Sequence, residues 1–324
     1  MKAAFIEKLG PPSVIQYGDL PMPEIGPQDI LVKVTAVTVD QVDTLIRSGS
    51  FETHPKFPFI IGRDMTGQVV ETGRNVSRFQ IGQWVWCNNQ GYAGRQGTFS
   101  EYCAIHEDLL YPLPAEADPF ETVAVLHSAL TAVVGLQFKA GLRSGETVFV
   151  NGGDGNVGTA VLQIGKKLGA RVAVTSATEE KAEWCKALGA DVVINYKTED
   201  VAEAVRKFAP NGVNVYWDVT NKPDARRAVE VAARRGRIIF INGLGYETAL
   251  PVQSFFFRNC TLFGFTVTDA TNQELATSAS NINHWLASKS LRAKVACRLS
   301  LADAAEGHRL SESGGLFGKI VLQP

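Results

Sequence analysis

The sequence is poor in cysteine, in excess charge of either sign and in long apolar runs. Its formal net charge of -1 gives no electrostatic reason to expect binding to nucleic acid or to a membrane surface. No apolar stretch approaches the roughly 20 residues that cross a bilayer. The N-terminal segment has charges at Glu7 and Lys8 before a Gly-Pro-Pro break, which is not the pattern of a signal peptide. We therefore expect a protein with no nucleic-acid or membrane partner.

The cysteines are few and scattered: 5 in 324 residues, with no close pair. Such an odd set argues against a disulfide framework and is typical of a reducing compartment, so we expect buried thiols and a cytoplasmic location. The one local basic cluster, "ARRGR" at 233–237, is too short for a nucleic-acid site. We expect it at a solvated helix end.

The chain changes character near residue 120. Before that point, Gly and Pro separate short alternating stretches such as "DILVKVTAVTVD" and "MTGQVVETG", which predict strands of a β-rich domain. After it, the short apolar runs "TVFVNG", "RVAVTS", "DVVINY", "VNVYWDV" and "RIIFING" are separated by helix-length segments. That alternation predicts an α/β domain with a buried parallel sheet. Beyond Cys260, a helix in "ELATSASNINHWLASK" and a last strand in "GKIVLQP" are expected to pack back on the first domain.

A glycine-rich turn follows the first strand of the second segment, in "VFVNGGDGNVGTAVLQIGKKLGA". Gly153, Gly155 and Gly158 have the G-x-G-x-x-G spacing of dinucleotide-binding turns. The first glycine permits the bend, the second lets pyrophosphate approach the backbone, and the third lets helix and strand pack closely. The helix that follows offers N–H groups and partial positive charge to phosphate. Because a strand precedes the turn and another follows the helix, the context predicts a dinucleotide site.

The end of the next strand predicts which dinucleotide binds. NAD sites carry Asp or Glu there, and its carboxylate accepts a hydrogen bond from the ribose 2′-OH. This chain has Thr175 and Ser176, with Lys181 shortly after, and hydroxyls with an ammonium favour a 2′-phosphate. NADP(H) is therefore predicted. Two alternatives stay open: Ser176-x-x-Glu179 has the spacing of a helix capping box, and Lys181 could be a solvated helix residue.

Taken together, these segments resemble the medium-chain dehydrogenase/reductase superfamily over nearly the whole chain. Other stretches that carry the resemblance are "FPFIIGRDMTGQVVETGRNVSRFQIGQWVW", "GTFSEYCAIHEDLLYPLP", "LTAVVGL", "LGADVVINYKTED" and the terminal "GKIVL". "DTLIRSGSF" and "INY" at 194–196 are most similar to its zinc-free quinone oxidoreductase branch, the zeta-crystallin-like reductases. The resemblance implies a GroES-like β-rich catalytic domain at 1–119, completed by 269–324, and a Rossmann doubly wound parallel-sheet domain at 120–268.

The resemblance also allows zinc to be tested. The alcohol dehydrogenases of the superfamily have a Cys ligand where this chain has Asp40, and a His-Glu pair where it has Arg63 and Asp64. Their structural zinc lobe needs four closely spaced cysteines, and the matching region contains only Cys87. Since Arg does not ligate a cation and two carboxylates are a poor zinc set, we predict no metal.

The resemblance implies cofactor contacts in several parts of the chain. Ser176, Lys181 and Tyr196 match positions that hold the adenosine 2′-phosphate, although Tyr196 could be a strand-end aromatic. Thr131 matches a residue beside the nicotinamide ribose, and Phe265 matches a nicotinamide-bordering segment but could be a core aromatic. The predicted cofactor-binding residues are Thr131, Gly153, Asp154, Gly155, Asn156, Val157, Gly158, Ser176, Lys181, Tyr196, Asn242, Gly243, Leu244, Phe265, Thr266 and Val267.

Two residues depart from the family pattern. Relatives often have Asn where this chain has Asp40, in a position near the nicotinamide. A carboxylate there could act as an acid if burial raised its pKa, or could only reshape the pocket. Asp154 replaces a small residue next to a diphosphate that it should repel, unless it points away and caps the helix. We name no catalytic acid, and we expect Asp40, Leu45 and Tyr92 to line the substrate pocket.

Without a Lewis acid, the predicted chemistry is hydride delivery from NADPH to a quinone or an α,β-unsaturated carbonyl. The alternatives are an enoyl-thioester reductase, which would need a basic entry for coenzyme A, and a catalytically silent NADPH-binding structural or regulatory protein. The resemblance suggests a homodimer, with "CTLFGFTV" as an edge strand that pairs across a two-fold axis.

Overall fold

The computed structural model describes residues 1–51 and 53–324, and by backbone packing the chain divides into two units. Unit 1 comprises Met1–His127 and Thr271–Pro324, and unit 2 is Ser128–Ala270. The domain limits predicted from the sequence stay a prediction.

Unit 1 is built on strands, as the alternating patterns predict. Its strands are β1 (Lys2–Ile6), β2 (Gln16–Asp19), β3 (Asp29–Val39), β4 (Phe59–Ile60), β5 (Met65–Thr72), β6 (Trp84–Cys87), β7 (Tyr102–His106), β8 (Leu110–Pro112), β15 (Val295–Ser300) and β16 (Lys319–Gln323). Its α-helices are α1 (Gln41–Ser48), α8 (Asn272–Ala287) and α9 (Ala304–Ser313), with short 3₁₀ turns at Pro12–Val14, Glu107–Leu109 and Leu301–Asp303. Helix α2 (Pro119–Val133) begins here.

Two sheets organise this unit. One has the order β2-β1-β4, and the other has the order β15-β16-β3-β5-β6-β8, with β7 also paired to β3. The C-terminal strand β16 lies antiparallel to β3, so the end of the chain completes the sheet that its beginning forms.

Unit 2 alternates strands and helices. Its elements are β9 (Thr147–Asn151), α3 (Asn156–Lys167), β10 (Arg171–Ser176), α4 (Glu179–Ala187), β11 (Val192–Asn195), α5 (Val201–Phe208), β12 (Val213–Asp218), α6 (Ala225–Val231), β13 (Ala232–Phe240), α7 (Val252–Phe257) and β14 (Thr261–Gly264), with a π-helical turn at Val134–Lys139 and a 3₁₀ turn at Val267–Asp269. All strand pairs are parallel, in the order β11-β10-β9-β12-β13-β14.

This order is that of a doubly wound sheet, so the predicted fold class is confirmed. The order reverses between β9 and β12, and such reversals are where open α/β sheets bind ligands, at the carboxyl ends of the strands. The core explains why the central strands are apolar throughout: Val148, Phe149 and Val150 of β9 have no exposed surface, as expected for a sheet covered on both faces.

Two expectations are corrected. The "ARRGR" cluster lies inside strand β13, with Arg234 and Arg235 exposed, and not at a helix end. The segment Pro119–Lys139, which is α2 with the π-helical turn, is 21 residues long and apolar enough to cross a bilayer by length and composition. However, 78% of its most apolar window is buried inside the protein. A helix that is apolar on all sides and buried is typical of a protein core.

Candidate functional site

The glycine turn leaves the sheet beside the point where the strand order reverses. It is held by the neighbouring strand: Gly152 N donates to Thr175 Oγ1 at 2.7 Å, and Thr175 Oγ1 lies 3.3 Å from Asn151 Oδ1. Gly155 N then donates to Gly152 O at 3.2 Å, which closes the turn at the start of α3. Thr175 is therefore a structural support of the turn, fully buried at the end of β10.

The three motif glycines are required for different reasons. A Cβ on Gly153 would lie 2.3 Å from Val174 Cβ, and one on Gly158 would lie 2.2 Å from Gly152 O. Gly153 is thus required because the turn packs closely on β10, and Gly158 is required because α3 packs closely on the turn. A Cβ on Gly155 would meet only Gly152 O, at an ordinary 3.6 Å, and its φ of -83° suits any residue. Among the described residues, no protein atom explains this glycine, whereas a ligand that approaches the backbone would.

The first turn of α3 is open to a phosphate group. Gly155 is the N-cap residue, and within the described part of the chain no side chain caps this helix. Gly155 and Asn156 are exposed and Val157 is partly exposed. Helix N–H groups in that position bind anions, so the residues present fit the pyrophosphate of a dinucleotide.

Asp154 does not cap α3, so that alternative is wrong. Its carboxylate instead reaches the end of β10, where Oδ2 accepts hydrogen bonds from Ser176 Oγ at 3.2 Å and from Ala177 N at 3.1 Å. Lys181 Nζ lies 3.9 Å from the same oxygen. The side chain therefore points away from the first turn of α3. This direction reduces the repulsion between the carboxylate and a diphosphate bound there.

The capping-box alternative for Ser176 is also wrong. The N-cap of α4 is Thr178, whose Oγ1 accepts from Lys181 N at 3.4 Å, while Ser176 Oγ bonds to Asp154 and to Thr178 O. Ser176 lies opposite Asn195 in the β10–β11 register, so Tyr196 follows at the same sheet edge. Tyr196 is 49% exposed, as an aromatic residue available to a ligand would be.

Sequence reasoning missed the polar pair that ties the two central strands together. Asn151 ends β9 and Asp218 ends β12, and Asn151 Nδ2 donates to Asp218 Oδ2 at 2.9 Å. Asp218 Oδ1 accepts from Thr220 N at 2.9 Å and from Thr220 Oγ1 at 2.6 Å, which fixes the loop after β12. The available signal was a polar residue at the end of each apolar strand, in "VFVN" and "VYWD".

The predicted Asn242, Gly243 and Leu244 form the loop after β13. Asn242 Nδ2 donates to Asn221 Oδ1 at 2.7 Å, and Gly243 N donates to Asn242 Oδ1 at 2.9 Å, so one amide holds the loop in place. Leu244 is 67% exposed at the carboxyl edge of the sheet, which leaves its side chain available to a ligand. Its contact with nicotinamide stays a prediction.

Phe265 begins the other predicted segment, 265–267, just beyond β14. Its ring packs edge to face on Trp217 with centroids 6.0 Å apart, and Gly135 provides the space, since a Cβ there would lie 2.1 Å from Trp217 Cη2. The core-aromatic alternative is thereby supported, although Phe265 keeps some exposed surface. Thr131 is buried in α2, one helical turn before Gly135, and its contact with the cofactor also stays a prediction.

A second polar cluster lies in unit 1, where sheet register brings buried charges together. Ile320 lies opposite Val39, which places Lys319 beside Asp40. Lys319 Nζ donates to Asp40 Oδ1, and Thr38 Oγ1 donates to Asp40 Oδ2 at 3.2 Å. Asp40 is 1% exposed and Lys319 is 4% exposed, so this ion pair is shielded from water.

Three carboxyl groups share this cluster and differ in proton affinity. Asp40 N donates to Asp43 Oδ2 at 2.8 Å, and Asn88 Nδ2 donates to Asp64 Oδ1. Burial opposes ionisation of Asp40, but the adjacent Lys319 ammonium holds its pKa below the ordinary value. Burial and the Asp40 charge raise the pKa of Asp43 to about 8 and that of Asp64 well above its ordinary value. Asp40 is therefore the ionised member, which argues against its role as an acid.

His127 joins the same cluster and was not singled out in the sequence. Its Nδ1 lies 3.5 Å from Asn88 Nδ2, and burial lowers the pKa of its imidazole to about 4, so the ring is neutral. Asp40, Asp64 and His127 each offer a possible ligand atom to a cation, and these atoms lie within 4.8 Å of one another. The available signal was a lone histidine in the apolar helix "LHSAL". The Lys319 ammonium already supplies one positive charge at this place.

The three predicted pocket residues separate into two environments. Phe51 N donates to Leu45 O at 3.1 Å, and the Phe51 ring meets Tyr92 edge to face with centroids 6.1 Å apart. Tyr92 also lines a small pocket beside Lys56. Asp40 starts the helix that contains Leu45 but belongs to the buried charged cluster. A role of these residues in substrate binding stays a prediction.

Comparison with known proteins supports both halves of this description. Residues 26–115 match the family described as "Alcohol dehydrogenase GroES-like domain", and residues 156–283 match "Zinc-binding dehydrogenase". A solved structure described as an NAD-dependent alcohol dehydrogenase is 30% identical, with a TM-score of 0.89 and 100% of both chains covered. The chain belongs to the medium-chain dehydrogenase/reductase superfamily.

Within this superfamily, relatives point to the branch predicted from the sequence. The quinone oxidoreductase of Lama guanicoe is 27% identical over 99% of this chain and 97% of its own length. The Escherichia coli quinone oxidoreductase, solved in complex with NADPH, is 25% identical with a TM-score of 0.88 and 100% of both chains covered. The assignment to the quinone oxidoreductase, or zeta-crystallin-like, branch of the medium-chain dehydrogenase/reductase superfamily is confirmed.

Proposed function

We propose that the chain is an NADPH-dependent, zinc-independent oxidoreductase that reduces quinones or α,β-unsaturated carbonyls. The observation that carries the proposal is the glycine turn. Among the described residues, no protein atom packs closely where a Gly155 side chain would lie, and no side chain caps the helix that begins there. The NADPH complex of the Escherichia coli relative and the quinone oxidoreductase relatives support the cofactor and the acceptor class.

The residues of unit 2 would hold the cofactor in parts. The first turn of α3 would bind the pyrophosphate, Ser176 and Lys181 would bind the 2′-phosphate, and the ring of Tyr196 lies at the same sheet edge. Thr131 and the segments 242–244 and 265–267 would border the nicotinamide. Reduced nicotinamide supplies the hydride when bound, and an acceptor that is already electrophilic needs alignment more than it needs activation.

Zinc independence rests on the cations already present in the buried cluster. The Lys319 ammonium engages Asp40, and Arg63 Nη2 donates to Asn89 Oδ1 close to Asp64 in the chain. A divalent ion at Asp40, Asp64 and His127 would have to compete with this ammonium for the ionised carboxylate. We therefore propose that Lys319 provides the balancing charge in place of a metal.

The function is tested by following the oxidation of NADPH with a quinone, an enone and a crotonyl thioester, with and without a strong zinc chelator. We expect turnover with the quinone or the enone that the chelator leaves unchanged. Fastest turnover with the thioester would favour the enoyl-thioester reductase. Tight NADPH binding with no turnover across a wide acceptor panel would favour the structural or regulatory alternative.

We also propose a homodimer formed through the outer strand of the unit 2 sheet. Within the described residues, strand β14 pairs with β13 and with no other strand, and Phe256, Phe257 and Leu262 nearby are 55%, 58% and 42% exposed. An apolar edge of this kind favours pairing with a second copy. Sedimentation of the protein and of a Phe257→Glu variant would show a dimer and a monomer, respectively.

The five free cysteines, four of them buried, support the proposed cytoplasmic location.

A further inference from the structure

The Asp154 carboxylate lies where dinucleotide-binding folds place their cofactor-selecting acid, although it comes from another segment. Residues 175–178 at the end of β10 are Thr, Ser, Ala and Thr, so the strand itself supplies no carboxylate there. Asp154, in the glycine turn, supplies one by accepting the Ala177 N–H at 3.1 Å. Ala177 is the first residue after β10.

This carboxylate contacts the same groups that would bind a 2′-phosphate. Its Oδ2 lies 3.2 Å from Ser176 Oγ and 3.9 Å from Lys181 Nζ. The Asp154 side chain is only 13% exposed, so its charge is poorly screened by water. A phosphate held by Ser176 and Lys181 would therefore meet a negative charge, whereas a ribose 2′-OH would meet a hydrogen-bond acceptor.

We propose that Asp154 determines cofactor selectivity by limiting the preference for NADPH and by allowing NADH to serve as a second cofactor. The inference rests on the proposed function for the identity of the site. Ser176 and Lys181 favour the 2′-phosphate, and Asp154 opposes them from the glycine turn.

The test compares Asp154→Asn with the wild type in calorimetric binding of adenosine 2′,5′-bisphosphate and adenosine 5′-monophosphate at low salt. These nucleotides differ by the 2′-phosphate alone, and their binding requires no acceptor and no turnover. Asn keeps an oxygen that can accept from Ala177 N, so the fold is preserved, and Asp154→Ser is the second variant. We expect the affinity for the 2′,5′-bisphosphate, relative to that for the 5′-monophosphate, to rise about tenfold in either variant. The affinity for NADPH relative to that for NADH should rise with it.

Glu183→Gln is the matched control, because it removes a negative charge from α4 at an exposed residue that pairs with Lys186. It should leave the ratio unchanged. A ratio that stays constant or falls in both Asp154 variants overturns the inference and leaves the proposed reductase intact. Binding of neither nucleotide to the wild type would overturn the inference together with the proposed cofactor site, whereas normal binding without turnover would contradict only the proposed reaction.

Discussion

The glycine turn of unit 2 and the buried charged cluster of unit 1 are specified in opposite ways. The turn spans residues 151–158 and works through backbone geometry and three glycines in a fixed spacing. The cluster joins Asp40 to Lys319, 279 residues apart in sequence, through the register of two antiparallel strands. A ligand site made of backbone can be recognised from spacing, whereas a site made of side chains from distant strands requires the tertiary structure.

The largest expected effect tests the cluster. Lys319→Met leaves the ionised Asp40 without its partner in a buried site, and we expect a loss of about 3–5 kcal/mol in the free energy of unfolding. The double variant Asp40→Asn with Lys319→Met removes both charges and should lose much less. Urea unfolding measures the free energy of unfolding of the single and the double variant.

Lys2→Met is the control for that experiment, because Lys2 and Asp19 form an ion pair at 2.7 Å that is largely exposed. Its removal should change the unfolding midpoint very little. Equal losses at Lys2 and Lys319 would show that burial of the pair carries no special weight.

A paired glycine substitution tests the turn. Gly158→Ala places a Cβ 2.2 Å from Gly152 O and should cost about 1–3 kcal/mol of stability, as overpacked sites do. Gly155→Ala meets no close protein atom, so the protein should stay stable but bind NADPH more weakly. Thermal melting and NADPH titration separate the two effects, and tight NADPH binding by Gly155→Ala would contradict the assigned approach of the pyrophosphate.

The sequence predicted the parallel sheet, the glycine turn and the strand-end position of Ser176, because period and spacing are local properties. The direction of the Asp154 side chain, for which capping of α3 was one open alternative, depends on Ala177, 23 residues away, and no local spacing encodes it. Lys319 had no local pattern around it, and the one local signal at His127 was its place in the apolar stretch "LHSAL". Their importance follows from sheet register and from the depth at which α2 is buried, and neither can be deduced from spacing alone.

The proton held by Asp43 gives the cluster a pH dependence. Its pKa of about 8 lies above the ordinary value, so the folded state keeps a proton that the unfolded chain releases, and stability falls as pH rises toward 8. His127 has its pKa lowered to about 4, so its contribution to the free energy of unfolding is lost as pH falls below about 6.5. Below that pH, His127 therefore opposes the trend set by Asp43. Asp43→Asn should therefore reduce the downward slope by about 1.4 kcal/mol per pH unit near pH 6.5 and by about half of that at pH 8.

Urea unfolding at several pH values measures that slope. Asp19→Asn is the control: its pKa is held below the ordinary value by the hydrogen bond from Lys2, so it does not titrate in this window. Identical slopes in the wild type and in Asp43→Asn would show that Asp43 is ionised at neutral pH.

The smallest expected effect concerns unit 2. It tests whether side chains at the end of β10 add selectivity for NADPH over NADH to a binding site made of backbone. Lys181→Ala should narrow the preference for NADPH over NADH by roughly 1–2 kcal/mol, as for the loss of a charged hydrogen bond. Lys186→Ala removes a lysine from the same helix that pairs with Glu183 at 2.7 Å, and it should leave the preference unchanged. Fluorescence titration with both nucleotides gives the comparison. Equal affinities for NADPH and NADH in the wild type and in Lys181→Ala would mean that the glycine turn binds the cofactor without any contribution from the end of β10.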